Sequence, residues 1–470
     1  MRTRYQNDSS RRESGSSRLD IISFGLAVAS GCSLCLGEMQ GHPAALVVLG
    51  FGGISILTLA HPEIALPVFL AAGSIKLDPR LPALPIDPTV VLGTLLWLSI
   101  VARLVIRSQP LRIPNVYCLY IPLLFMMLVS LLYTPDMTLG LDKFLRFLAL
   151  TGIAIVSPLV ILQSPKRLTR FLTMSVIVGL TVGLNSFAML GGKTKLAAPS
   201  GDSLALGYLT GSALAIVLAM LPELSLPRRC VSYSGAIVLL VALVGSGARG
   251  ATIGVGFCVI LSLLFCRKLL GDFAILGVLG GLVLSQVSIP MLSTDNFATL
   301  GHPHEAAGMR NDLMALGTRL AMEHPFGGVG IAGYPFYAPS QWNYSHNVIL
   351  EIGAELGVPA ALAYLGMIYL AFRETIRQLR DRAFRYRTFS RVILALLAVG
   401  LVGQAVSGDI NDNRAFWLYL GLPFALREMD RGEVQTRGLL LDKTWVTCFS
   451  TAREQVAQPN NLGTHAVHNY

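Results

Sequence analysis

Charged side chains are scarce in this chain. Asp, Glu, Lys and Arg make up only 14% of its 470 residues, whereas hydrophobic residues make up 53%. Together with a mean hydropathy of +0.60, this composition excludes a soluble globular protein of such length. Because an α-helix satisfies its own backbone groups in lipid, the repeated apolar runs predict an all-α, polytopic integral membrane protein.

Cysteine is also rare, with seven residues in the chain. Cys32 and Cys35 have the spacing of a redox pair, but a small apolar packing role within a helix is the favoured interpretation. His302 and His304 flank a proline without the further cysteine or histidine partners that a zinc site needs. The sequence therefore predicts neither a metal ion nor another cofactor.

A cleavable signal peptide is not evident, because the first apolar segment ends in Leu36-Gly37-Glu38 without a small-residue cleavage pattern. We therefore expect a membrane domain over residues 21–427, between a disordered cytoplasmic tail at 1–20 and a polar cytoplasmic tail at 428–470. An internal repeat of broken helices, which would favour an alternating-access transporter, is not evident either.

Apolar runs long enough to cross a bilayer, or nearly so, recur along the whole membrane domain. Between twelve and fourteen transmembrane helices are expected, and the third and last runs are the shortest. The fourteen candidate runs are Ile21–Leu36, Ala44–Ala60, Ile64–Ile75, Thr89–Ile106, Pro114–Tyr133, Phe144–Leu162, Arg170–Leu190, Ser203–Leu221, Val231–Gly245, Ala251–Cys266, Gly271–Pro290, His346–Phe372, Ser390–Ser407 and Ala415–Leu426.

The basic residues indicate an orientation for these helices. Most of the 37 lysine and arginine residues fall in alternate connections, which the positive-inside rule assigns to the cytoplasm. Both termini are then cytoplasmic, and the long polar segment 290–345 is a loop on the outer side of the membrane. The formal net charge of +10 follows from this topology, so nucleic acid is not an expected partner.

A glycine-rich reversal, Gly245–Gly250, carries the first candidate site residue, Arg249. An arginine between helix ends at the membrane boundary is costly and usually has an anionic partner. Arg249 could have only a structural role in the turn, with its guanidinium group at the membrane interface. Alternatively, its guanidinium could hold a phosphate or diphosphate with two parallel hydrogen bonds.

The polar segment 290–345 is much longer than an ordinary connection, which favours a functional role. Arg310 and Arg319 lie about half a turn out of phase on a predicted helix, so both cannot face one ligand. Arg319 has Glu323 one turn ahead, the spacing of a surface ion pair, so Arg310 is the better ligand candidate. Arg319 and His324 are supporting candidates, and His324 before Pro325 is expected to shape the loop.

His346 is the candidate catalytic residue. A histidine at a helix start is often a cap or an interface residue, but here it follows the long loop and accompanies outward arginines. An imidazole of ordinary pKa can accept a proton from a hydroxyl, which is the task of a general base. Asn347 is its supporting neighbour. Lys76 and Arg80 could add positive charge around an anionic donor, or could be solvated loop residues.

The order of these motifs resembles the O-antigen ligase and polymerase superfamily, which consists of bacterial inner-membrane glycosyltransferases with a large periplasmic loop. The resemblance covers residues 245–370. It is carried by Ser246-Gly247-Ala248-Arg249-Gly250, Arg310, His324-Pro325-Phe326-Gly327-Gly328-Val329-Gly330, His346-Asn347, Leu350 and Glu355-Leu356-Gly357.

This resemblance implies a glycan donor carried on undecaprenyl diphosphate. It further implies that Arg249 and Arg310 bind the diphosphate and that His346 activates an acceptor hydroxyl without a metal ion. The expected partners are this donor, a glycan or lipid acceptor, membrane lipids and other polysaccharide assembly proteins. The product would be a surface polysaccharide such as O-antigen, lipopolysaccharide or exopolysaccharide.

Three alternatives stay open at the level of sequence. A flippase or other transporter of lipid-linked glycan would need charged groups near the membrane midplane, whereas the charges here cluster at helix ends and in the loop. A structural scaffold explains the topology but not the set of two arginines and one histidine. A polymerase and a ligase would need the same residues, so the sequence does not separate them.

Overall fold

The computed structural model describes residues 43–75, 87–106, 111–188, 196–286, 304–339, 344–406, 408–411 and 413–432. Every regular element within these ranges is a helix, so the prediction of an all-α fold is confirmed. The chain divides into two compact units, Met1–Leu426 and Arg427–Tyr470. The second unit is described only over residues 427–432, which are helical.

The first half of the larger unit contains eight α-helices within the described ranges. A 3₁₀ turn at Asn115–Leu119 leads into the fourth, and a π-helical turn at Phe147–Thr151 joins the fifth to the sixth. The helices are α1 Pro43–Ala60, α2 Pro62–Ile75, α3 Pro88–Ile106, α4 Tyr120–Ser130, α5 Met137–Arg146, α6 Gly152–Val160, α7 Pro165–Ala188 and α8 Ser203–Met220.

The second half follows the same all-helical pattern, with 3₁₀ turns at Leu221–Glu223 and Tyr334–Phe336. Its described helices are α9 Leu226–Ser246, α10 Arg249–Phe265, α11 Leu269–Gln286, α12 His304–Glu323, α13 Val348–Leu356, α14 Val358–Arg380, α15 Arg387–Val406 and α16 at residues 414–426.

Six described helical stretches are long and apolar enough to cross a membrane. Four further apolar helices are shorter, at Pro62–Ile75, Asn115–Ser130, Arg249–Phe265 and Leu269–Ser285. This supports the predicted polytopic membrane protein, although the first predicted span, Ile21–Leu36, lies outside the described residues. The six long stretches are Pro88–Ile106, Met137–Val160, Pro165–Ala188, Ser203–Glu223, Leu226–Ser246 and Arg387–Val406.

The predicted single helix His346–Phe372 is wrong, because the chain forms two helices, α13 and α14, in that region. Gly357 separates them with a φ of 87°, a conformation that interrupts an α-helix. A Cβ at this position would lie 2.7 Å from the carbonyl carbon of Phe326, so the break also brings the loop after α12 close to α13.

Helix α8 lies at the centre of the larger unit and packs against α7, α9, α10 and α15. Small residues allow these close approaches. A Cβ on Gly179 of α7 would lie 3.3 Å from the carbonyl oxygen of Leu209, and one on Gly254 of α10 would lie 3.1 Å from the Cα of Val399 in α15. Such contacts between backbones are typical of helix packing in membranes.

Candidate active site

The turn between α9 and α10 places Arg249. Helix α9 ends at Ser246, Gly247 takes a left-handed φ of 66°, and α10 begins at Arg249 itself. The Ser246 hydroxyl donates to the Leu243 carbonyl at 2.6 Å and accepts from the Ala248 amide at 3.2 Å. This exposed arginine therefore occupies the first turn of α10, where the amide groups and helix dipole favour an anion.

Close packing holds this turn against α8. A Cβ on Gly207 would clash with the Cβ of Ala248 and would lie 3.0 Å from the Ser246 hydroxyl. Only glycine therefore fits at position 207, where α8 meets the turn between α9 and α10. The position of Arg249 is thus fixed by the backbone of two packed helices.

Helix α12 carries Arg310, which is exposed. This helix packs against α13, and a Cβ on Gly317 would lie 3.5 Å from Ser345. The positive charge of Arg310 acts on both His346 and Tyr208. Neither Arg249 nor Arg310 forms an ion pair with a carboxylate in the described part of the chain.

His346 is buried, with only 4% of its surface exposed. It lies two residues before α13 and has a φ of 57°, which is uncommon for a residue with a Cβ and recurs at functional sites. The ring of Tyr344 packs on the imidazole with a centroid distance of 4.5 Å. Local contacts therefore fix the conformation and position of His346.

The residues on either side of His346 explain how the strained backbone is held. The Asn347 side chain caps α13 by accepting from the amides of Ile349 and Leu350 at 3.0 and 3.1 Å. Its amide nitrogen donates to the Ala405 carbonyl of α15 at 3.2 Å. The Ser345 hydroxyl donates to the Asn347 carbonyl at 2.7 Å. Asn347 is thus a structural support for the histidine.

Burial first, and the positive charge of Arg310 second, lower the pKa of His346 from its usual value of 6.5. A histidine with a lowered pKa is neutral at pH 7. The neutral imidazole is the form that can accept a proton, so the environment of His346 suits a general base.

Tyr208 lies beside the arginine turn and feels the charge of Arg310, and the sequence did not single it out. A Cβ on Gly250 would lie 2.7 Å from its hydroxyl, which places that hydroxyl beside the residue after Arg249. The hydroxyl is buried and has no hydrogen-bond partner among the residues that the structure describes. It is therefore positioned to bond a ligand.

A second group of charged side chains joins α5 to α13, and its contacts were not predicted from the sequence. The Lys143 ammonium of α5 contacts Glu351 at 2.6 Å and Glu355 at 2.8 Å. Both carboxylates are buried, and the lysine side chain is 11% exposed. Two carboxylates one turn apart in an apolar helix need a cation on that face, and this spacing was the signal available in the sequence. The partner, 208 residues from Glu351, was not predictable.

This group of charges, Lys143 with Glu351 and Glu355, also fixes the glycine-rich loop after α12. Glu355 accepts from the amide of Ala332 at 3.0 Å and from that of Tyr334 at 3.4 Å. A Cβ on Gly330, whose φ is 91°, would lie 2.6 Å from the Cα of Thr134. The loop is therefore seated between α13 and the start of α5.

The supporting candidates from the sequence occupy peripheral positions. Arg319 is exposed and lies 3.9 Å from Glu323, which confirms the predicted surface pair. His324 is exposed and directly follows α12, and its carbonyl accepts from the Gly328 amide at 2.9 Å. Its backbone thus contributes to the loop, as predicted. Lys76 and Arg80 lie outside the described residues.

Fold and site together define a class: an all-helical membrane protein with two exposed arginines and a buried histidine, on which the charge of one arginine acts. Residues 234–365 match the family model described as O-antigen ligase. The matched segment includes Arg249, Arg310 and His346, and the predicted resemblance to this superfamily is confirmed. The match supports a membrane glycosyltransferase of the O-antigen ligase type in general. No curated protein matches the chain.

Proposed function

We propose that this protein transfers a glycan from undecaprenyl diphosphate to an acceptor hydroxyl at the periplasmic face of the bacterial inner membrane. The observation that carries the proposal is the combination of two exposed arginines, which have no carboxylate partner in the part of the chain that the structure describes, with a buried histidine whose pKa is lowered. A dianionic leaving group matches the first feature, and proton acceptance from a hydroxyl matches the second.

In the proposed reaction, His346 removes the proton from the acceptor hydroxyl as its oxygen attacks the anomeric carbon of the donor sugar. A new glycosidic bond forms, and the bond between the anomeric carbon and the diphosphate oxygen breaks. The leaving diphosphate takes the bonding electron pair, and Arg249 and Arg310 stabilise this charge. The helix dipole of α10 adds to this stabilisation, because its positive end lies at Arg249.

The product is proposed to be a surface polysaccharide, made either by joining repeat units or by attaching a finished glycan to its acceptor. Deletion of the gene, followed by complementation with wild type or His346→Ala, tests the proposal and separates these roles. Surface polysaccharide is sized on a gel, and lipid-linked intermediates are extracted from the same cells.

Each result of this experiment has a definite meaning. Single repeat units on the lipid carrier, with loss of long chains, indicate a polymerase if only wild type restores the chains. Long chains that remain on the carrier indicate a ligase. Full restoration by His346→Ala contradicts the proposed reaction, and His324→Ala serves as the matched histidine control that restores synthesis.

A further inference from the structure

A cavity of about 350 Å³ lies between α2, α7, α8 and α16. Its volume falls within the range of roughly 300–1,000 Å³ that is usual for small-molecule sites. The side chains most relevant to ligand chemistry come from α8 and its N-cap, from α16 and from the segment before His346. They are Asp202, Tyr208, Ser212, Tyr344, Arg414 and Tyr419.

The cavity extends into the membrane-spanning part of the helices. Asp202 caps the start of α8, accepting from the Leu204 and Ala205 amides. Ser212 lies nine residues beyond Ser203, or about 14 Å along the helix at 1.5 Å per residue. Ser175 lines the same cavity from the interior of α7. The cavity therefore presents hydroxyl groups inside the helices as well as polar groups at their ends.

The cavity adjoins the candidate active site on two sides. Tyr344 lines it and packs on the His346 ring at 4.5 Å. Tyr208 lines it too, with its hydroxyl beside Gly250, the residue after Arg249. A molecule in the cavity would therefore contact Tyr344 and Tyr208, the neighbours of His346 and of the arginine turn.

The lining fits a sugar ring better than the other components of a lipid-linked glycan. A pyranose has an apolar face, which tyrosine rings can cover, and hydroxyls, which carboxylate, guanidinium and hydroxyl groups can bond. The carboxylate of Asp202 would repel a diphosphate. The lining combines apolar and polar groups, and an isoprenoid chain would leave the buried Tyr208 hydroxyl unpaired, whereas a sugar can hydrogen-bond it. Tyr208 contributes a buried hydroxyl that has no partner among the described residues.

We propose that this cavity binds one pyranose ring of the glycan during transfer. The inference rests on the proposed function and specifies a sugar subsite for it. Two sources share this chemistry: the sugar attached to the donor diphosphate and the terminal sugar of the acceptor. Kinetics with each substrate varied in turn distinguish them.

The test uses Asp202→Asn and Tyr208→Phe in the full-length protein. Asparagine preserves the helix cap, and phenylalanine keeps the ring of Tyr208 while removing an unpaired hydroxyl, so neither change is expected to unfold the protein. Asp136→Asn is the matched control, because Asp136 caps α5 through the same two types of bond and does not line the cavity. The substrates are the undecaprenyl-diphosphate-linked glycan and the acceptor extracted from a deletion strain.

A lost hydrogen bond to the sugar should raise KM about tenfold in each cavity variant, with wild-type KM in Asp136→Asn. A rise for the donor alone assigns the donor sugar, and a rise for the acceptor alone assigns the acceptor sugar. Unchanged KM values for both substrates in both cavity variants would overturn the proposal while leaving transfer itself intact.

Equilibrium binding of the same extracts separates failure of the cavity from failure of the proposed function. If wild type binds the lipid-linked glycan without transferring it, the reaction is wrong but the subsite is still tested. Weaker binding by Asp202→Asn and Tyr208→Phe then supports the cavity. Equal binding by wild type and both variants overturns it.

Discussion

Two groups of charged side chains are built in opposite ways: Lys143 with the carboxylates of α13, and Arg249 of α10 with Arg310 of α12. The Lys143 ammonium is shared by the buried carboxylates of Glu351 and Glu355, at 2.6 and 2.8 Å. Arg249 and Arg310 are exposed and lack carboxylate partners in the described ranges. The fold supplies an opposite charge to the side chains of the first group, whereas the arginines of the second group are open to an anionic ligand. The comparison teaches that pairing, rather than charge alone, separates structural from functional residues here.

The largest expected effect is on the rate of transfer and comes from His346→Ala. Removal of a general base should lower kcat about 10²- to 10⁴-fold, with little change in donor binding. Transfer by purified protein in lipid discs, measured at saturating substrate, gives this number. His324→Ala controls for loss of an exposed histidine in the same polar segment and should retain activity. A loss below tenfold in His346→Ala would assign the histidine a positioning role.

Lys143→Met should break the buried group and destabilise the protein by about 3–5 kcal/mol, because two carboxylates lose their shared cation. Unfolding by denaturant in one detergent measures the change. Arg146→Met is the control, since the pair between Arg146 and Asp142 is exposed and should contribute only about 0–1 kcal/mol. Equal stability of the two variants would contradict the structural role of the Lys143 group.

Arg310→Ala should weaken use of the donor about 10- to 100-fold in kcat/KM, since a charge-assisted bond to the diphosphate contributes about 1.5–3 kcal/mol. Stability should stay near that of wild type because Arg310 is exposed. Arg319→Ala, on the same helix but paired with Glu323, is the matched control with near-normal kinetics. Equal losses in the two variants would remove Arg310 from the diphosphate site.

The smallest expected effect is a shift in the pH profile. His346 must be neutral to act as a base, so activity is lost as pH falls through its pKa. Burial and Arg310 lower this pKa from 6.5, which places the acidic limb of wild type below pH 6.5. Arg310→Ala removes a positive charge, so the pKa rises and the limb of its residual activity moves to higher pH. A limb unchanged by Arg310→Ala would contradict this coupling.

The sequence predicted those features that depend on local patterns. Apolar runs predicted the positions of most helices. The glycine-rich turn at Arg249 was predictable because its residues are adjacent in the chain. The resemblance brought Arg310 and His346 into the same hypothesis, and the structure places the charge of Arg310 within reach of His346. The roles of these three residues stay predictions.

The features that were missed depend on distant contacts. Lys143 reaches Glu351 across 208 positions, and Tyr208 meets Gly250 only because α8 and α10 pack together. The break at Gly357 was missed because a single glycine in an apolar run often continues a helix. Here a positive φ and contact with Phe326 decide otherwise.

The most direct test of the central claim follows the fate of the lipid carrier. Purified protein in lipid vesicles is given the extracted undecaprenyl-diphosphate-linked glycan, with and without acceptor, and released undecaprenyl diphosphate is quantified beside transferred glycan. The proposed reaction predicts equal amounts of released undecaprenyl diphosphate and transferred glycan. Both products should require the acceptor, and both should be lost in His346→Ala. Movement of intact lipid-linked glycan across the bilayer without acceptor and without release of the carrier would contradict it and indicate a transporter.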